Sequence, residues 1–318
     1  MSEPVSTFVC VNPASANGRT GARWSQYAQA LRAEVGEFTV GFTQAPREAG
    51  QLVRRALESG MTRVVSVGGD GTHNEVIQGF FRPDAVGVPV SPEASLHVVP
   101  AGTGGDFRRS LGLGAETLDA IRQIRGETIR ADVGHLTYTR PGGGSAQAYF
   151  INIASFGMSG LVDRIVNESS KALGGKMSFL LGVGRASLRY KNQRVRLRVD
   201  DGEPLDRTVN NVAVANARYY GGGMKIAPGA DLSDGLFDVV VVGDLGTLEM
   251  ARGVGRIYAG QHLDMPKVEV LRGRRVTAEP WEPGTEVLID MDGEQPGMLP
   301  AAFTLMPGAL RLGVGRDR

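Results

Sequence analysis

The pattern of apolar and polar residues changes near residue 128. Before that point, short apolar runs at 7–11, 38–42, 64–67 and 96–99 alternate with segments whose apolar residues recur at helical spacing. This alternation is typical of parallel βαβ units joined by right-handed crossovers. Because ligands collect at the carboxyl ends of parallel strands, we expect a binding site where these four strands end.

After residue 128 the apolar runs are short and often alternate with polar residues. They lie at 129–133, 149–154, 193–199, 209–215, 237–242, 268–271, 276–279, 287–291 and 303–306. Helical segments at 161–188 and 245–259 interrupt them. The pattern predicts an antiparallel β-sandwich or barrel. We therefore predict two domains, a Rossmann-like α/β domain over 1–128 and an antiparallel β-sandwich over 129–318.

Composition limits the partners and the compartment. The formal net charge is +1, which gives no general attraction to nucleic acid. The single cysteine, Cys10, cannot form an internal disulfide, so we expect a reducing compartment, the cytoplasm. The sequence has no signal-peptide pattern and no apolar stretch of about 18 residues, so we expect any membrane contact to be peripheral.

The third apolar run ends at the turn Gly68-Gly69-Asp70-Gly71-Thr72-His73-Asn74. Glycine lets the backbone approach a ligand, and Thr72 and Asn74 offer side-chain oxygens where a helix would begin. A glycine turn at a helix N-terminus suits a phosphate. The carboxylate of Asp70 would then need a magnesium ion or a water network between it and the anion. An ordinary Asp-Gly turn is the alternative.

A second glycine-rich turn follows the fourth strand, with the sequence Pro100-Ala101-Gly102-Thr103-Gly104-Gly105-Asp106-Phe107. The hydroxyl of Thr103 could donate to a phosphate oxygen, or the segment is a plain loop in which Asp106 caps a helix. No lysine precedes Lys171, which excludes a P-loop in the first domain. A phosphate bound there must rely on main-chain amides, arginine or a metal.

A third segment places two carboxylates and a carbonyl close together. Asp231 and Asp234 lie three residues apart in a turn, and the carbonyl of Leu236 follows. Oxygen ligands of this kind suit Mg²⁺, although Asp-Gly turns without a metal are common.

A fourth segment has acidic residues at the end of a predicted strand. Alternation places Asp290 and Asp292 on one face of the strand, and Glu294 follows a glycine turn. Such carboxylates could accept a hydroxyl proton or hold a catalytic Mg²⁺. A polar hairpin end is the alternative.

Basic residues line one face of the predicted strand at 193–199. Arg194, Arg196 and Arg198 alternate with apolar residues, and Arg185, Arg189 and Lys191 precede them. The alternatives are a solvated sheet face and a docking surface for anionic lipid headgroups.

Together these motifs resemble the diacylglycerol kinase catalytic-domain family, which includes bacterial diacylglycerol kinases and sphingosine kinases. The resemblance runs from Asn12-Pro13 to Asp292-Gly293-Glu294, with the motifs in family order. The first glycine turn alone is shared with NAD kinases. Its combination with Pro100-x-Gly102-Thr103, Gly221-Gly222-Gly223-Met224 and Asp234-Gly235-Leu236 is more specific.

The resemblance implies an active site in a cleft between the two domains, and a C-terminal tail that returns to the first domain. It assigns ATP binding to Asn12, Thr43, Gly68, Gly69, Asp70, Gly71, Thr72, Asn74, Gly102 and Thr103. Glu294 would be the proton acceptor, with Asp292 beside it. Mg²⁺ would bind Asp231, Asp234 and the Leu236 carbonyl, and Asp70 would position a second Mg²⁺ carried with ATP.

The chain departs from the family at one position, where Gly105 stands in place of the usual asparagine. The lost amide puts one nucleotide or substrate contact in doubt. The resemblance implies an ATP-dependent kinase of a lipid hydroxyl at the membrane surface, with diacylglycerol the first candidate. The alternatives are an NAD kinase and a non-catalytic lipid- or nucleotide-binding protein. The sequence names neither the lipid nor the membrane-docking trigger, and it leaves a homodimer open.

Overall fold

The computed structural model describes residues 5–168 and 190–315. The predicted helical segment at 161–188 is therefore described only over 161–168, and these residues are helical. Arg185 and Arg189 of the predicted basic face lie outside the described residues. The chain divides into two compact units, one made of Met1–Val133 and Met306–Arg318 and the other of Gly134–Leu305.

The first part of the chain alternates strands with helices. Its elements are β1 (Thr7–Val11), α1 (Arg19–Ala22), α2 (Trp24–Val35), β2 (Thr39–Phe42), α3 (Ala49–Glu58), β3 (Arg63–Gly68), α4 (Asp70–Gln78), β4 (Ser95–Pro100), α5 (Asp106–Ser110), α6 (Thr117–Arg122) and β5 (Thr128–Thr139). β5 continues from the first unit into the second.

The remaining elements are mostly strands. They are β6 (Ser145–Phe150), β7 (Ile153–Gly157), α7 (Met158–Glu168), β8 (Gln193–Val199), β9 (Leu205–Val209), β10 (Asn211–Ala215), β11 (Phe237–Val242), α8 (Thr247–Ala259), β12 (Val268–Gly273), β13 (Arg275–Pro280), β14 (Ile289–Met291) and β15 (Met298–Gly313). β15 also belongs to both units, since residues up to Leu305 lie in the second and those from Met306 in the first.

The sheet of the first unit is parallel. Its strand order is β2-β1-β3-β4, and Arg311 and Leu312 near the end of β15 pair with β4. One face of the sheet packs its valines against Tyr27 and Leu31 of α2 and Ile121 of α6. The helices cover apolar strands, as a doubly wound α/β fold requires. The carboxyl ends of β1 to β4 therefore share one edge.

The second unit is a sandwich of two mainly antiparallel sheets. One contains β8, β9, β13, β6 and the parts of β5 and β15 that lie in this unit, and the other has the order β12-β11-β10-β7-β14. The core includes stacked Phe150 and Phe237, with Phe303 against the edge of Phe150. The predicted fold class, an α/β domain with an antiparallel β-sandwich, is confirmed.

Several strands differ from the sequence prediction. The run predicted at 149–154 is two strands, β6 and β7, with a break at 151–152. Most of β9 lies ahead of the predicted run at 209–215, and β5 and β15 are much longer than the predicted runs at 129–133 and 303–306. Among the described helices, none combines the length and apolar character that a bilayer crossing needs.

Candidate active site

The turn between β3 and α4 is held tightly against the first residues of the helix. A Cβ at Gly68 would lie 2.5 Å from the side chain of Thr72, so glycine is required there. α4 begins at Asp70, with extended Gly69 as its N-cap. Thr72 and Asn74 therefore lie inside the helix rather than ahead of it. The amides of the first turn of a helix have no acceptor within it, which suits an anion.

The carboxylate of Asp70 binds the start of α5. Its Oδ2 accepts hydrogen bonds from the amides of Gly105, at 2.8 Å, and Asp106, at 3.2 Å, and its Oδ1 accepts one from Phe107, at 3.3 Å. Amides at this end of a helix lack intrahelical acceptors. Main-chain amides thus supply partners for the carboxylate that we expected to face a magnesium ion or a water network.

The two glycine turns are in direct contact. The amide of Ala101 donates to the carbonyl of Gly68 at 2.7 Å, and a Cβ at Gly102 would lie 2.5 Å from the Cα of Gly69. A Cβ at Gly104 would lie 2.7 Å from Oδ2 of Asp70. Residues 102–104 are nevertheless exposed. The exposed backbone of the second turn is therefore fixed in place by the first.

Asn12 and Thr43 lie at the same edge of the sheet. Nδ2 of Asn12 donates to Oγ1 of Thr72 at 3.0 Å, and the amide of Asn12 donates to the carbonyl of Val67, also at 3.0 Å. The amide of Thr43 donates to the carbonyl of Val11 at 2.9 Å. The ends of β1, β2 and β3 are thereby joined by hydrogen bonds.

Two predicted nucleotide ligands differ in exposure. Asn74 is only 7% exposed, so its side chain lies among the packed residues of α4 rather than on an open loop. Thr103 is exposed in the second turn. Sequence reasoning did not identify Thr20, whose hydroxyl donates to the carbonyl of Ala101 at 2.9 Å. A lone threonine after a loop carries no signal that would reveal this contact.

His73 is a packed residue of the first turn. Its Nδ1 lies 2.8 Å from Oγ of Ser66, and its ring is buried. Burial lowers the pKa of His73 to about 4, against a smaller opposing effect of Asp70. The ring is therefore neutral near pH 7 and supports the turn without adding charge.

In the second unit, the acidic segment is a tight two-residue hairpin. Asp292 and Gly293 both have positive φ angles, 51° and 87°, and Met291 and Glu294 exchange backbone hydrogen bonds of 2.8 and 3.1 Å. Asp-Gly is a preferred pair for such turns. Glu294 follows the turn and is exposed. The two hydrogen bonds to Met291 thus fix the backbone of Glu294 at the end of the turn.

The carboxylate of Asp292 binds main-chain amides. Oδ1 accepts from the amide of Ile153 at 2.9 Å and Oδ2 from that of Ile151 at 3.3 Å. The amide of Asp292 donates in turn to the carbonyl of Ile153 at 3.0 Å. This contact lies where β6 ends and β7 begins, and it supplies the physical reason for the break in the predicted strand.

Asp290 does not share the contacts of Asp292. Its Oδ2 accepts from Oγ of Ser155 at 2.8 Å, and its Oδ1 accepts from the amide of Gly293 at 2.9 Å. The carboxyl group of Asp163, on α7, lies within hydrogen-bonding reach of Asp290. Burial raises the pKa of both carboxyl groups, and the charge of Asp290 raises that of Asp163 further. Sequence reasoning missed Asp163, since one acid in a helix gives no signal.

The loop with Asp231 and Asp234, which we predict to bind Mg²⁺, has suitable donor oxygens, but a guanidinium group competes for one of them. Oδ1 of Asp231 accepts from the amide and hydroxyl of Ser233, at 2.9 and 2.8 Å. Asp234 binds the amide of Leu236 at 3.0 Å and forms an ion pair with Arg272. Carboxylate and carbonyl oxygens fit Mg²⁺ chemically. The guanidinium nevertheless brings positive charge to the carboxylate that the metal would need.

Arg272 also binds Asp238, an acid of β11, the strand that follows this loop. Its Nε donates to Oδ1 of Asp238 at 2.9 Å. Burial raises the pKa of Asp238, and the guanidinium opposes that rise. In the part of the chain that the structure describes, no three His, Cys, Asp or Glu side chains are grouped closely enough to hold a metal.

Comparison with known proteins identifies both parts of the chain. The model of the diacylglycerol kinase catalytic domain matches residues 6–136, and that of the YegS C-terminal NAD kinase beta sandwich-like domain matches residues 152–314. A diacylglycerol kinase of Mycobacterium tuberculosis is 28% identical over 83% of this chain and 81% of the relative. A YegS-like lipid kinase of Chromohalobacter salexigens is 31% identical over 82% of this chain and 79% of the relative.

Solved structures show the same fold. A diacylglycerol kinase from Bacillus anthracis aligns with a TM-score of 0.71 and 18% identity, covering 99% of each chain. Yeast NADH kinase in complex with NADH aligns with a TM-score of 0.51 and 10% identity, covering 98% of this chain and 83% of the other. These identities are low, so the two structures support the architecture alone.

The α/β unit with joined glycine turns and the sandwich unit with an acidic hairpin define a two-domain enzyme of the lipid kinase class. Within that class, the chain belongs to the diacylglycerol kinase catalytic-domain family. The family resemblance carried by the sequence motifs is confirmed.

Proposed function

We propose that this lipid kinase transfers the terminal phosphoryl group of ATP to the free hydroxyl of diacylglycerol, which gives phosphatidic acid and ADP. The observation that carries the proposal is the pair of joined glycine turns at the carboxyl edge of the parallel sheet. Relatives over most of the chain are named diacylglycerol kinase, which favours this lipid.

Main-chain amides bind the phosphates of ATP in this proposal. Gly68, Gly69, Asp70, Gly71, Gly102 and Thr103 supply the turns, and Asn12, Thr43, Thr72 and Asn74 line or brace them. Asp70 contributes by fixing the second turn, because its carboxylate accepts three amides of α5. Preorganised donors of this kind stabilise the charge of a transferring phosphoryl group without reorganising during the reaction.

Glu294 accepts the proton of the lipid hydroxyl while the hydroxyl oxygen attacks the γ-phosphorus of ATP. The bond from the γ-phosphorus to the bridging oxygen breaks, and ADP leaves with the electron pair. Two features support this role, the exposed carboxylate and the rigid hairpin that presents it. Asp292 fixes the hairpin through the amides of Ile151 and Ile153.

Mg²⁺ is proposed at two places. Asp231, Asp234 and the Leu236 carbonyl would hold a structural ion, provided that it displaces Arg272 from Asp234. At Asp70, three of about four lone-pair directions already accept amides, which leaves room for one metal-bound water or one direct contact. An ion carried with ATP would neutralise phosphate charge.

The enzyme meets its lipid at the membrane surface in this proposal. Exposed apolar residues on α8 support it, namely Leu248, Val254 and Tyr258, which are 63%, 36% and 42% exposed. They share one arc of the helix, and exposed Arg252 and Arg256 lie beside that arc. On β8, Arg194, Arg196 and Arg198 are exposed as well, but Arg196 pairs with Asp206 and Glu279.

A labelling assay tests the function. The purified chain is incubated with γ-labelled ATP, diacylglycerol vesicles and, separately, a total lipid extract or NAD, each with Mg²⁺ and with excess chelator. We expect label in phosphatidic acid, dependent on Mg²⁺. Label in NADP alone, or in no extracted lipid, would contradict the assignment.

The variant Glu294→Gln tests the proton acceptor. Because the amide cannot accept the proton, we expect kcat to fall by about 10²–10⁴-fold while the Kd for ATP stays within about twofold. Glu279→Gln, another exposed glutamate of the same unit, is the matched control and should keep full activity. Near-normal turnover in Glu294→Gln would exclude the role.

A further inference from the structure

Two buried acids lie next to the acidic hairpin, and the reaction described above does not use them. Asp290, on β14, is 5% exposed, and Asp163, on α7, is 9% exposed. Ser155 of β7 also contacts Asp290, since its hydroxyl donates to that carboxylate and lies 2.7 Å from the hydroxyl of Ser159. Burying two carboxyl groups together is costly unless hydrogen bonds satisfy them.

The two carboxyl groups share one proton, because a hydrogen bond between two carboxyl groups requires a hydrogen. Asp290 accepts from Ser155 and from the amide of Gly293, and both bonds favour its ionised form. Within the described chain, the buried Oδ2 of Asp163 has no hydrogen-bond partner that would stabilise a charge. The proton therefore resides on Asp163, which donates to Asp290.

Asp290 in turn holds the hairpin. The amide of Gly293 reaches Oδ1 of Asp290 at 2.9 Å from inside the turn. Asp292 has a φ of 51°, a left-handed conformation that costs energy in a residue other than glycine. Surrounding contacts must maintain such a conformation. Glu294 is the residue that leaves this turn, so its direction depends on the bond to Gly293.

We propose that Asp290 is a positioning residue for Glu294, and that Asp163 completes this role by donating a hydrogen bond to Asp290. This inference rests on the proposed function of Glu294. The contacts form a series that begins at α7. Asp163 donates to Asp290, Asp290 accepts from the amide of Gly293, and the turn that contains Gly293 sets the direction of Glu294. Neither Asp163 nor Asp290 takes part in the transfer itself.

Four variants test the chain of contacts in the full-length enzyme. Asp163→Asn keeps a donor for Asp290, whereas Asp163→Ala removes it and Asp290→Ala removes the acceptor. Asp132→Ala is the matched control, since Asp132 is also buried and accepts a glycine amide, that of Gly308, at 2.7 Å. Each variant is assayed for kcat, for KM with diacylglycerol and for the Kd of ATP.

We expect Asp163→Ala and Asp290→Ala to lower kcat by about 10²-fold, as a misplacement of about 1 Å can do, with KM and the Kd for ATP nearly unchanged. Asp163→Asn should stay within about threefold of the wild type. Asp132→Ala should keep its kcat, even if its melting temperature falls. Equal losses in Asp163→Asn and Asp163→Ala, or normal turnover in Asp290→Ala, would overturn the proposal.

Hydrogen exchange at the amide of Gly293 separates this inference from the proposed function. We expect faster exchange in Asp290→Ala and Asp163→Ala but not in Asp163→Asn. If Glu294→Gln remains active while this pattern holds, the proton-acceptor assignment fails and the contacts stand. If Asp290→Ala does not fold, the two Asp163 variants decide the outcome, and unchanged exchange in Asp163→Ala rejects the proposal.

Discussion

The carboxylate of Asp70 holds the amides of Gly105, Asp106 and Phe107, and so joins two turns that lie 35 residues apart in sequence. Hydrogen bonds from amides to a carboxylate are stronger than neutral ones. The glycine at 104 leaves room for this contact, because a Cβ there would meet the carboxylate at 2.7 Å. One side chain therefore fixes the conformation of both glycine turns.

Replacing Asp70 should weaken ATP binding through the second turn. In Asp70→Ala three amides of α5 lose their acceptor, and we expect the Kd for ATP to rise by about 10²-fold or more, measured by calorimetry. Asp70→Asn keeps one carbonyl oxygen and should lose less. Asp119→Ala, at an exposed aspartate of the same unit, serves as the control. Identical losses in the Ala and Asn variants would instead indicate a role centred on charge or metal binding.

Gly105 shows what a motif can and cannot reveal. The sequence shows that glycine replaces the usual family asparagine, but not why the position tolerates it. Its φ is +77°, in the left-handed region that glycine and asparagine occupy more readily than other residues. A Cβ there would lie 2.6 Å from Nε of Arg108, near the far end of a long side chain. Glycine and asparagine therefore both suit the backbone at this position, and the chain lacks only the side-chain amide of the asparagine.

Candidate site residues could be predicted where main-chain geometry demanded a residue type. Gly68 and Asp292-Gly293 stand out because turns require glycine or an Asp-Gly pair. Asp163 could not be predicted, because its importance comes from a partner 127 residues away in the chain, Asp290. No local pattern records such a distant contact.

At the scale of elements, α8 is an amphipathic helix whose outward face is not wholly polar. Ile257 is buried, while Leu248, Val254 and Tyr258 are exposed. Arg252 lies beside them. Apolar residues flanked by arginine are typical of helices that lie in the interface of an anionic bilayer.

The double variant Leu248→Ser/Tyr258→Ser should weaken binding to vesicles. Removing two apolar side chains from the interface should lower partitioning to anionic vesicles by about tenfold or more, measured by sedimentation. Turnover of a water-soluble short-chain diacylglycerol should be unchanged. Val86→Ser, at an exposed valine of the first unit, is the matched control. Unaltered partitioning would contradict a role for α8 in membrane binding. The replacement of Arg194 and Arg198 on β8 by glutamate is the second arm of the experiment and tests the basic strand instead.

Element boundaries were predictable where apolar runs end at turn residues, as in β1 and β3. The break between β6 and β7 was not, because the run at 149–154 continues through it and the cause is the distant Asp292. Most of β9 was missed because exposed Asp206 and Thr208 alternate in it with half-buried residues, so that the strand has no strong apolar face. Its pairing with β8 determines its conformation instead.

At the scale of the whole molecule, all four histidines of the chain are buried. Burial lowers the pKa of His73 and His97 to about 4, and it lowers those of His135 and His262 as well. The unfolded chain then binds protons that the folded chain does not. Burial of Asp163 acts in the opposite direction, since its raised pKa favours proton binding by the folded state.

Stability should therefore decrease on acidification. The contribution of His73 and His97 is fully present above pH 6.5 and is lost as the pH falls from 6.5 toward 4. Each histidine adds a slope of about 1.4 kcal/mol per pH unit in that window. Melting temperatures of the wild type and of His73→Gln/His97→Gln between pH 4 and 8 check this, and the variant should show the flatter profile. Parallel profiles would refute it.

The two-part architecture could be predicted because the apolar pattern changes from helical to alternating spacing near residue 128. The path of the last strand could not be read from such a pattern. Only the short run at 303–306 is predicted there, and the pairing of β15 shows that Ala301–Thr304 contact β13 while Arg311 and Leu312 contact β4. Pairing partners lie far apart in the chain and leave no local trace.

Because the end of β15 returns to the first unit, that unit is encoded by two separate stretches of the gene. A chimera that took only codons 1–133 from this chain would leave β4 as an open edge, with the buried Leu96 and its neighbours uncovered on that side. Exchange of the first units between lipid kinases of this architecture must therefore carry the final 13 codons along with codons 1–133. Recombination at a single crossover near the middle of the gene separates parts that form one sheet.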